Sequence, residues 1–179
     1  SLIKLNGAFN SRITDVRVDG PFSFGVSFEN SPGNQFLNYL DNFIIKDGDF
    51  GVVIGNESDS NFVQDVFVNT GAITDCNNAG LFTNNASGVY CQNLEILTCA
   101  NRGVWINPQT GNQSRALFFT DIIVDSTSSG SGWNFEDNGG KITEVNMNGC
   151  WASSNEGQGM LINNAGGGPH DGFAINTFR

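Results

Sequence analysis

The chain has 179 residues, with eight Lys and Arg against 18 Asp and Glu, for a net charge of −10. That length supports one hydrophobic core without requiring two, and the acid excess excludes a nucleic-acid backbone as partner, because binding phosphates needs clustered Lys and Arg. No apolar run is long enough to span a bilayer, so membrane insertion is not expected.

Along the chain a glycine followed by apolar, any, apolar recurs. It stands at Gly25-Val26-Ser27-Phe28, Gly51-Val52-Val53-Ile54, Gly80-Leu81-Phe82-Thr83, Gly103-Val104-Trp105-Ile106, Gly132-Trp133-Asn134-Phe135 and Gly159-Met160-Leu161-Ile162. Units of 23 to 29 residues cannot bury a face alone, so successive units must stack as a solenoid. Between the glycines lies a second element: apolar, any, Asp/Asn/Glu, apolar, any, apolar. It reads Ile13 to Val18, Leu40 to Ile45, Val63 to Val68, Cys91 to Ile96, Phe119 to Val124 and Ile142 to Met147. The short polar residue at its third position tolerates left-handed backbone and lets the strand turn a corner.

Each coil thus holds three short strands: the glycine strand, a second ending at the corner and a third leaving it. Apolar segments are short, alternate with period two and are rich in β-branched and aromatic residues, which disfavours a helical repeat. The expected fold is all-β, a parallel β-helix of about six to seven coils. Asn, present 25 times, and Gly, present 23 times, suit the corners of such a fold. Residues 1–179 read as a single domain. Ile3-Lys4-Leu5-Asn6 resembles a glycine strand of an earlier coil and Asn176 falls where a further corner is due, so the chain is expected to be a section of a longer protein.

The register places Cys91 in an inward slot with Ile13, Leu40, Val63, Phe119 and Ile142, as core filler. It places Cys99 and Cys150 in one column with a coil between them, about 9 to 10 Å apart at strand spacing, too far for a disulfide. With no Cys-x-x-Cys pair and no His cluster, neither a zinc site nor any other metal or cofactor is expected.

Chemistry must therefore come from the outer surface. Carboxylates recur in the loops from third strand to glycine strand, at Asp19, Asp47, Asp49, Asp75, Asp125 and Glu156. Such a column would set acids along one wall, and two acids flanking a sugar linkage are what glycoside hydrolysis needs. Asp47, Asp49 and Asp75 cluster most closely and are the candidate catalytic residues. Asp is equally at home in turns for backbone reasons alone. The outward position of the glycine strand carries Ser27, Val53, Phe82, Trp105, Asn134 and Leu161. Phe82 and Trp105 make an exposed aromatic pair on adjacent coils, able to stack on sugar rings. Of the few basic residues Lys46, Arg102 and Arg115 lie near plausible grooves, and Arg102 joins Phe82 and Trp105 as a candidate substrate-binding residue. Outward Ile44, Phe67 and Ile123 on the third strand form an apolar stripe suited to oligomer packing, a role also open to Trp105. Trp133 reads as core, Trp151 as a loop residue of open role, and His170 as an exposed histidine in a glycine-rich turn. The acceptor triplets at Asn56, Asn85 and Asn112 are the chance matches of an Asn-rich chain.

The whole repeat resembles the right-handed parallel β-helix of the pectin-lyase-like superfamily, and within it the trimeric bacteriophage tailspikes. The outward apolar stripe, irregular loops and Asn and Gly enrichment point to that branch. The resemblance implies a homotrimeric section of a virion tail, extracellular, that binds bacterial surface polysaccharide and hydrolyses it with Asp or Glu. The Asn-Thr-Asp, Asp-Asp, Gly-His-Gly and Arg-x-Lys segments of polygalacturonase-like members do not occur, nor does the calcium-and-base constellation of pectate-lyase-like ones. Two alternatives stay open: a non-catalytic structural or receptor-binding section of a spike, and a monomeric secreted polysaccharide-degrading enzyme.

Overall fold

A computed structural model describes residues 1–29, 36–55, 62–164 and 166–179. In chain order the strands are β1 (Ile3–Asn6), β2 (Arg12–Asp19), β3 (Phe24–Glu29), β4 (Asn38–Lys46), β5 (Phe50–Ile54), β6 (Val63–Thr74), β7 (Ala79–Thr83), β8 (Ala86–Leu97), β9 (Arg102–Ile106), β10 (Gln113–Asp125), β11 (Trp133–Glu136), β12 (Lys141–Ser153), β13 (Met160–Asn163) and β14 (His170–Phe178). The odd-numbered strands form sheet 1 and the even-numbered strands sheet 2, each sheet seven strands of parallel neighbours stacked in coil order. This is the expected β-solenoid, with no helix among the described residues.

The repeated glycines are explained by space rather than by backbone conformation. A Cβ on Gly51 would stand 2.3 Å from Cγ2 of Ile73 and 2.7 Å from the carbonyl oxygen of Gly80. One coil on, a Cβ on Gly80 would stand 2.4 Å from Cγ2 of Ile96. Ile45, Ile73, Ile96 and Val124 are one inward column of sheet 2, so its branched side chains fill the room that a side chain on the glycine strand would need. In the last coil Ala152 stands in that column and the constraint relaxes at Gly159.

The second and third segments of each coil join into one strand of sheet 2, bent where a residue adopts positive φ. Two bend columns run up the sheet five residues apart. The first holds Asn10, Leu37, Asp65, Gly88, Ala116, Glu144 and Gly172; the second holds Asp15, Asn42, Thr70, Asn93, Asp121, Gly149 and Thr177. A third column, at Asp47, Asp75, Thr98, Ser126 and Ser154, turns the chain out of the sheet. Asn, Asp and Gly enter left-handed backbone at least cost, which is why they predominate among these residues.

Two corners were therefore placed in the wrong column by the sequence pattern. Asp65 and Glu144 belong to the first bend, whereas Asp15, Asn42, Asn93 and Asp121 belong to the second, since apolar-x-acid-apolar fits either corner. Val63 and Ile142 accordingly share a column with Ala86 and Ser114. Cys91 is interior as expected, but in the column of Leu40, Val68, Phe119 and Met147. Phe67 leaves the stripe of Ile44 and Ile123 and joins Tyr39, Tyr90 and Phe118.

Between the sheets the core is continuous. Val26, Val52, Leu81, Val104 and Trp133 rise along sheet 1, opposite the Leu40 to Met147 column. Trp133 is fully buried and meets Phe119 edge-on at 5.2 Å between ring centroids. All four cysteines are free and buried. Cys99 does not share a column with Cys150. It stands beside Cys76 on the adjacent coil, where the Ala100 amide donates to the Cys76 carbonyl, while Cys150 lies with Ile122 and Leu94.

His170 is a strand residue rather than an exposed turn residue, its side chain only 10% exposed beside the fully buried Asp137. Trp151 lies in β12, 45% exposed and in register with Ile123, so it extends the Ile44 and Ile123 column rather than sitting in a loop. Asn85 and Asn112 are buried, which closes both to glycosylation. Asn56 lies outside the described residues.

Candidate functional site

The outward column of sheet 1 is the expected one: Ser27, Val53, Phe82, Trp105, Asn134 and Leu161 are register partners coil by coil. Its exposure differs from expectation. Phe82 is only 6% exposed, because Phe50 and Trp105 close over it with ring centroids 5.3 and 5.0 Å away. Phe24 and Phe50 extend this outer cluster downward, edge to face at 5.5 Å. The sequence hid this because Phe24 and Phe50 precede the glycine and fall outside the repeated motif.

Trp105 stays half-buried at the upper end of the cluster, and Arg102 lies across it with Cζ 4.0 Å from the ring centroid. This is cation–π geometry. The Arg102 guanidinium also faces Glu136 at 3.6 Å, and the Asn134 amide donates to the same Glu136 oxygen at 3.4 Å. All three residues proposed from sequence to bind substrate, Phe82, Trp105 and Arg102, thus come together on two coils, joined by Asn134 and Glu136. Three buried polar atoms of this group have no hydrogen-bond partner among the described residues: Nε of Arg102, Nε1 of Trp105 and Oδ1 of Asn134. Buried polar atoms are nearly always paired. Beside them opens a cleft of about 210 Å³ lined by Asn101, Arg102, Ser129, Ser131, Asn134 and Leu161.

The carboxylates proposed as a catalytic wall take several positions. Asp19 and Asp125 share one column, and Asp47 and Asp75 the next, where both have positive φ and turn the chain. Asp49 and Asn77 line a second cleft of about 440 Å³ with Pro21, Phe22, Ser23, Asp47 and Gly48. The Asn77 amide donates to Asp49 at 3.1 Å, the Asn101 amide to the Asn77 carbonyl at 2.9 Å, and the Ser129 hydroxyl to Asn101 at 3.0 Å. This ladder crosses three coil steps, about 14 Å at strand spacing, and joins the two clefts along one edge of sheet 1.

Partners around the individual acids differ. Asp47 is exposed and pairs with Lys46 at 3.0 Å. Both oxygens of Asp75 accept hydroxyls, from Thr98 at 2.7 Å and Thr74 at 2.9 Å. The hydrogen bond and charge of Arg17 hold Asp19 below the usual carboxylate range. At Asp125 partial burial pushes upward, but hydrogen bonds from Ser153, Ser126 and Ser154 outweigh it and the net direction is down. Downward displacement suits an ionised base or ligand-holding group rather than a proton donor.

Sheet 2 displays a different aromatic arrangement. Tyr39, Phe67, Tyr90 and Phe118 stack face to face with centroids 4.8, 4.7 and 4.9 Å apart, and Arg12 caps the lower end over Tyr39. In such a ladder the ring faces meet one another and only edges reach solvent, so a sugar ring has no face to stack on. Among the described residues no group of His, Cys, Asp and Glu is arranged to hold a metal ion. Among the same residues no helix is long and apolar enough to cross a membrane.

Two parallel sheets wound around one core define a parallel β-solenoid. The chain belongs to the right-handed β-helix family, whose model for a right-handed beta helix region matches residues 1–170. No curated protein and no solved structure matches it. A domain of this family is compatible with proteins that bind or degrade polysaccharide.

Proposed function

We propose that the upper face of sheet 1 and its bordering turn ladder bind a bacterial surface polysaccharide, as part of a tailspike-like homotrimer on a virion. The observation that carries this reading is the cluster of Arg102, Trp105, Asn134 and Glu136. It leaves two donors and one acceptor without partners beside a polar cleft, and the hydroxyls of a sugar supply both kinds of group. Arg102 and Glu136 neutralise each other, so the cluster suits an uncharged sugar. The Asp49, Asn77, Asn101 and Ser129 ladder continues the surface by amides and hydroxyls along an extended chain. The outward column of Ile44, Ala72, Ile123 and Trp151, interrupted by Glu95, is the surface we assign to packing against sister subunits.

Hydrolysis is the second half of the reading, and it rests on Asp47, Asp49 and Asp75. Asp47 and Asp49 both line the larger cleft, and Asp49 is the stronger of them since its side chain pairs with a neutral amide whereas Asp47 pairs with Lys46. The test is incubation with capsular and O-antigen polysaccharides, measuring both retention on the protein and oligosaccharide release. Retention abolished by Trp105→Ala or Asn134→Ala is expected. Wild-type retention in both variants would overturn the binding site, and undiminished release by Asp47→Asn, Asp49→Asn and Asp75→Asn together would overturn the catalytic assignment.

A further inference from the structure

The basic residues of this acidic chain are mostly spent on its own carboxylates. Lys4 pairs with Glu29, Arg12 with Asp41, Arg17 with Asp19, Lys46 with Asp47 and Arg102 with Glu136. Arg115 and Lys141 have no carboxylate partner among the described residues, and they stand close together. Lys141 is the register partner of Gln113 on the adjacent coil, and Arg115 lies two residues beyond Gln113 on the same face. Both are exposed.

Lys141 lines a cleft of about 300 Å³ with Phe62, Asn112, Gln113, Gly111 and Gly139, and Arg115 adjoins it through the Phe62 wall. Arg115 holds its guanidinium 5.6 Å over the Phe62 ring and anchors Nε on the Ser87 hydroxyl at 3.1 Å. The volume is at the small end of ligand sites. The cleft lies at the start of the sheet 2 strands, across sheet 1 from the Asp49 ladder. In register above Arg115 stand Thr143 and then Asp171, and Asp171 forms an ion pair with neither cation among the described residues.

We infer that this cleft is a second saccharide subsite, selective for a carboxylate-bearing sugar. Lys141 and Arg115 supply positive charge for the carboxylate, Gln113 supplies an amide for a ring hydroxyl, and Phe62 supplies an apolar wall. In a chain of net charge −10, two neighbouring cations with no ion-pair partner among the described residues concentrate attraction for an anion where the rest of the surface repels it. The inference rests on the polysaccharide-binding reading, and adds that the recognised polymer contains a uronic or comparable acidic sugar.

The test compares a glucuronate-containing oligosaccharide with its carboxyl-reduced counterpart, by calorimetry at low and at physiological salt. The acidic form is expected to bind at least tenfold more tightly at low salt, with the advantage shrinking as salt rises. Arg115→Gln with Lys141→Gln should abolish that advantage and leave binding of a neutral polysaccharide at Trp105 intact. Equal binding of both forms, or an advantage that survives the double substitution, would overturn the subsite, as would full displacement by millimolar inorganic phosphate, which marks a generic anion site. If neutral binding sensitive to Trp105 persists while the acidic preference is absent, only the subsite fails. If no saccharide binds at all, the underlying reading fails with it.

Discussion

Nε2 of His170 stands 3.0 Å from Oδ2 of Asp137, whose other oxygen accepts the amides of Gly139 and Gly168, each at 3.0 Å. The imidazole contact has the distance of an ion pair without the directionality of a hydrogen bond, and neither atom has another hydrogen-bond partner. One buried carboxylate thus ties the turn after β11 to the next coil's entry into β14.

Burial raises the proton affinity of Asp137, but the Gly168 and Gly139 amides and the charge of His170 outweigh it and the net direction is down. A carboxylate depressed in the folded state adds stability above its unfolded value, about 3.9, and loses it as pH falls through the folded value. The contribution of Asp137 should therefore be lost only as pH drops below about 4, and Asp137→Ala should remove that part of the acid sensitivity. At pH 7 the same substitution leaves two buried amides without an acceptor and should cost about 1 to 3 kcal/mol. Urea titrations of both proteins from pH 3 to 7 measure this. Parallel curves across the range would show that Asp137 does not link the coils.

Gly51→Ala is predicted to destabilise the solenoid, and Gly159→Ala to be tolerated. The first Cβ would enter within 2.7 Å of a backbone carbonyl, whereas the second meets nothing nearer than 3.4 Å. Overpacking of this kind costs about 1 to 3 kcal/mol. Thermal midpoints of the two variants should separate clearly, and equal midpoints would refute the spatial account of the repeat.

That account also shows what was readable in advance. The glycine motif aligns sheet 1 correctly from β3 to β13 because its six glycines recur at 23 to 29 residues, although Gly88-Val89-Tyr90-Cys91 and Gly149-Cys150-Trp151-Ala152 in sheet 2 fit the same local pattern. The bend motif does not align sheet 2 as well, because two bends five residues apart accept the same residues, and Asp65 and Glu144 fit one as well as the other. The Tyr39 to Phe118 ladder was lost in that shift, since moving Phe67 by one corner removes a ring from its middle. Phe82 looked exposed because its cover comes from Phe50, which the motif does not include, and from Trp105 one coil up. Arg102 and Trp105 were legible as neighbours, but Glu136 was not, because only folding brings the end of β11 beside the start of β9.

Phe67→Ala should separate stability from binding. It removes the ring between Tyr39 and Tyr90 and with it two stacked contacts, each worth about 0.5 to 1.5 kcal/mol beyond area burial. The expected outcome is a loss of about 2 to 4 kcal/mol in unfolding free energy, with polysaccharide retention by the folded protein unchanged. Reduced retention in a variant that remains folded would mean that the ladder, rather than the Trp105 face, meets the sugar.

The cysteines give a prediction of reactivity. Cys76 is pushed well above the ordinary thiol range by its hydrogen bond with Cys99 and by burial, and Cys91 is pushed up by burial together with the nearby Cys150. The hydrogen bond from Cys76 draws Cys99 down, so that its protection rests on burial alone. Since the thiolate is the reactive form and all four sulfurs are enclosed, a disulfide-exchange reagent at pH 8 should label none of them on the timescale of seconds. All four should react once the chain is unfolded in guanidinium. Partial unfolding under an oxidant should then link Cys76 to Cys99 before any pair containing Cys150, because only those two share adjacent coils at strand spacing, about 4.8 Å, within the Cα range a disulfide spans. Peptide mapping of the oxidised protein reads this directly, and a dominant Cys99 to Cys150 bridge would contradict the register of the third and fourth coils.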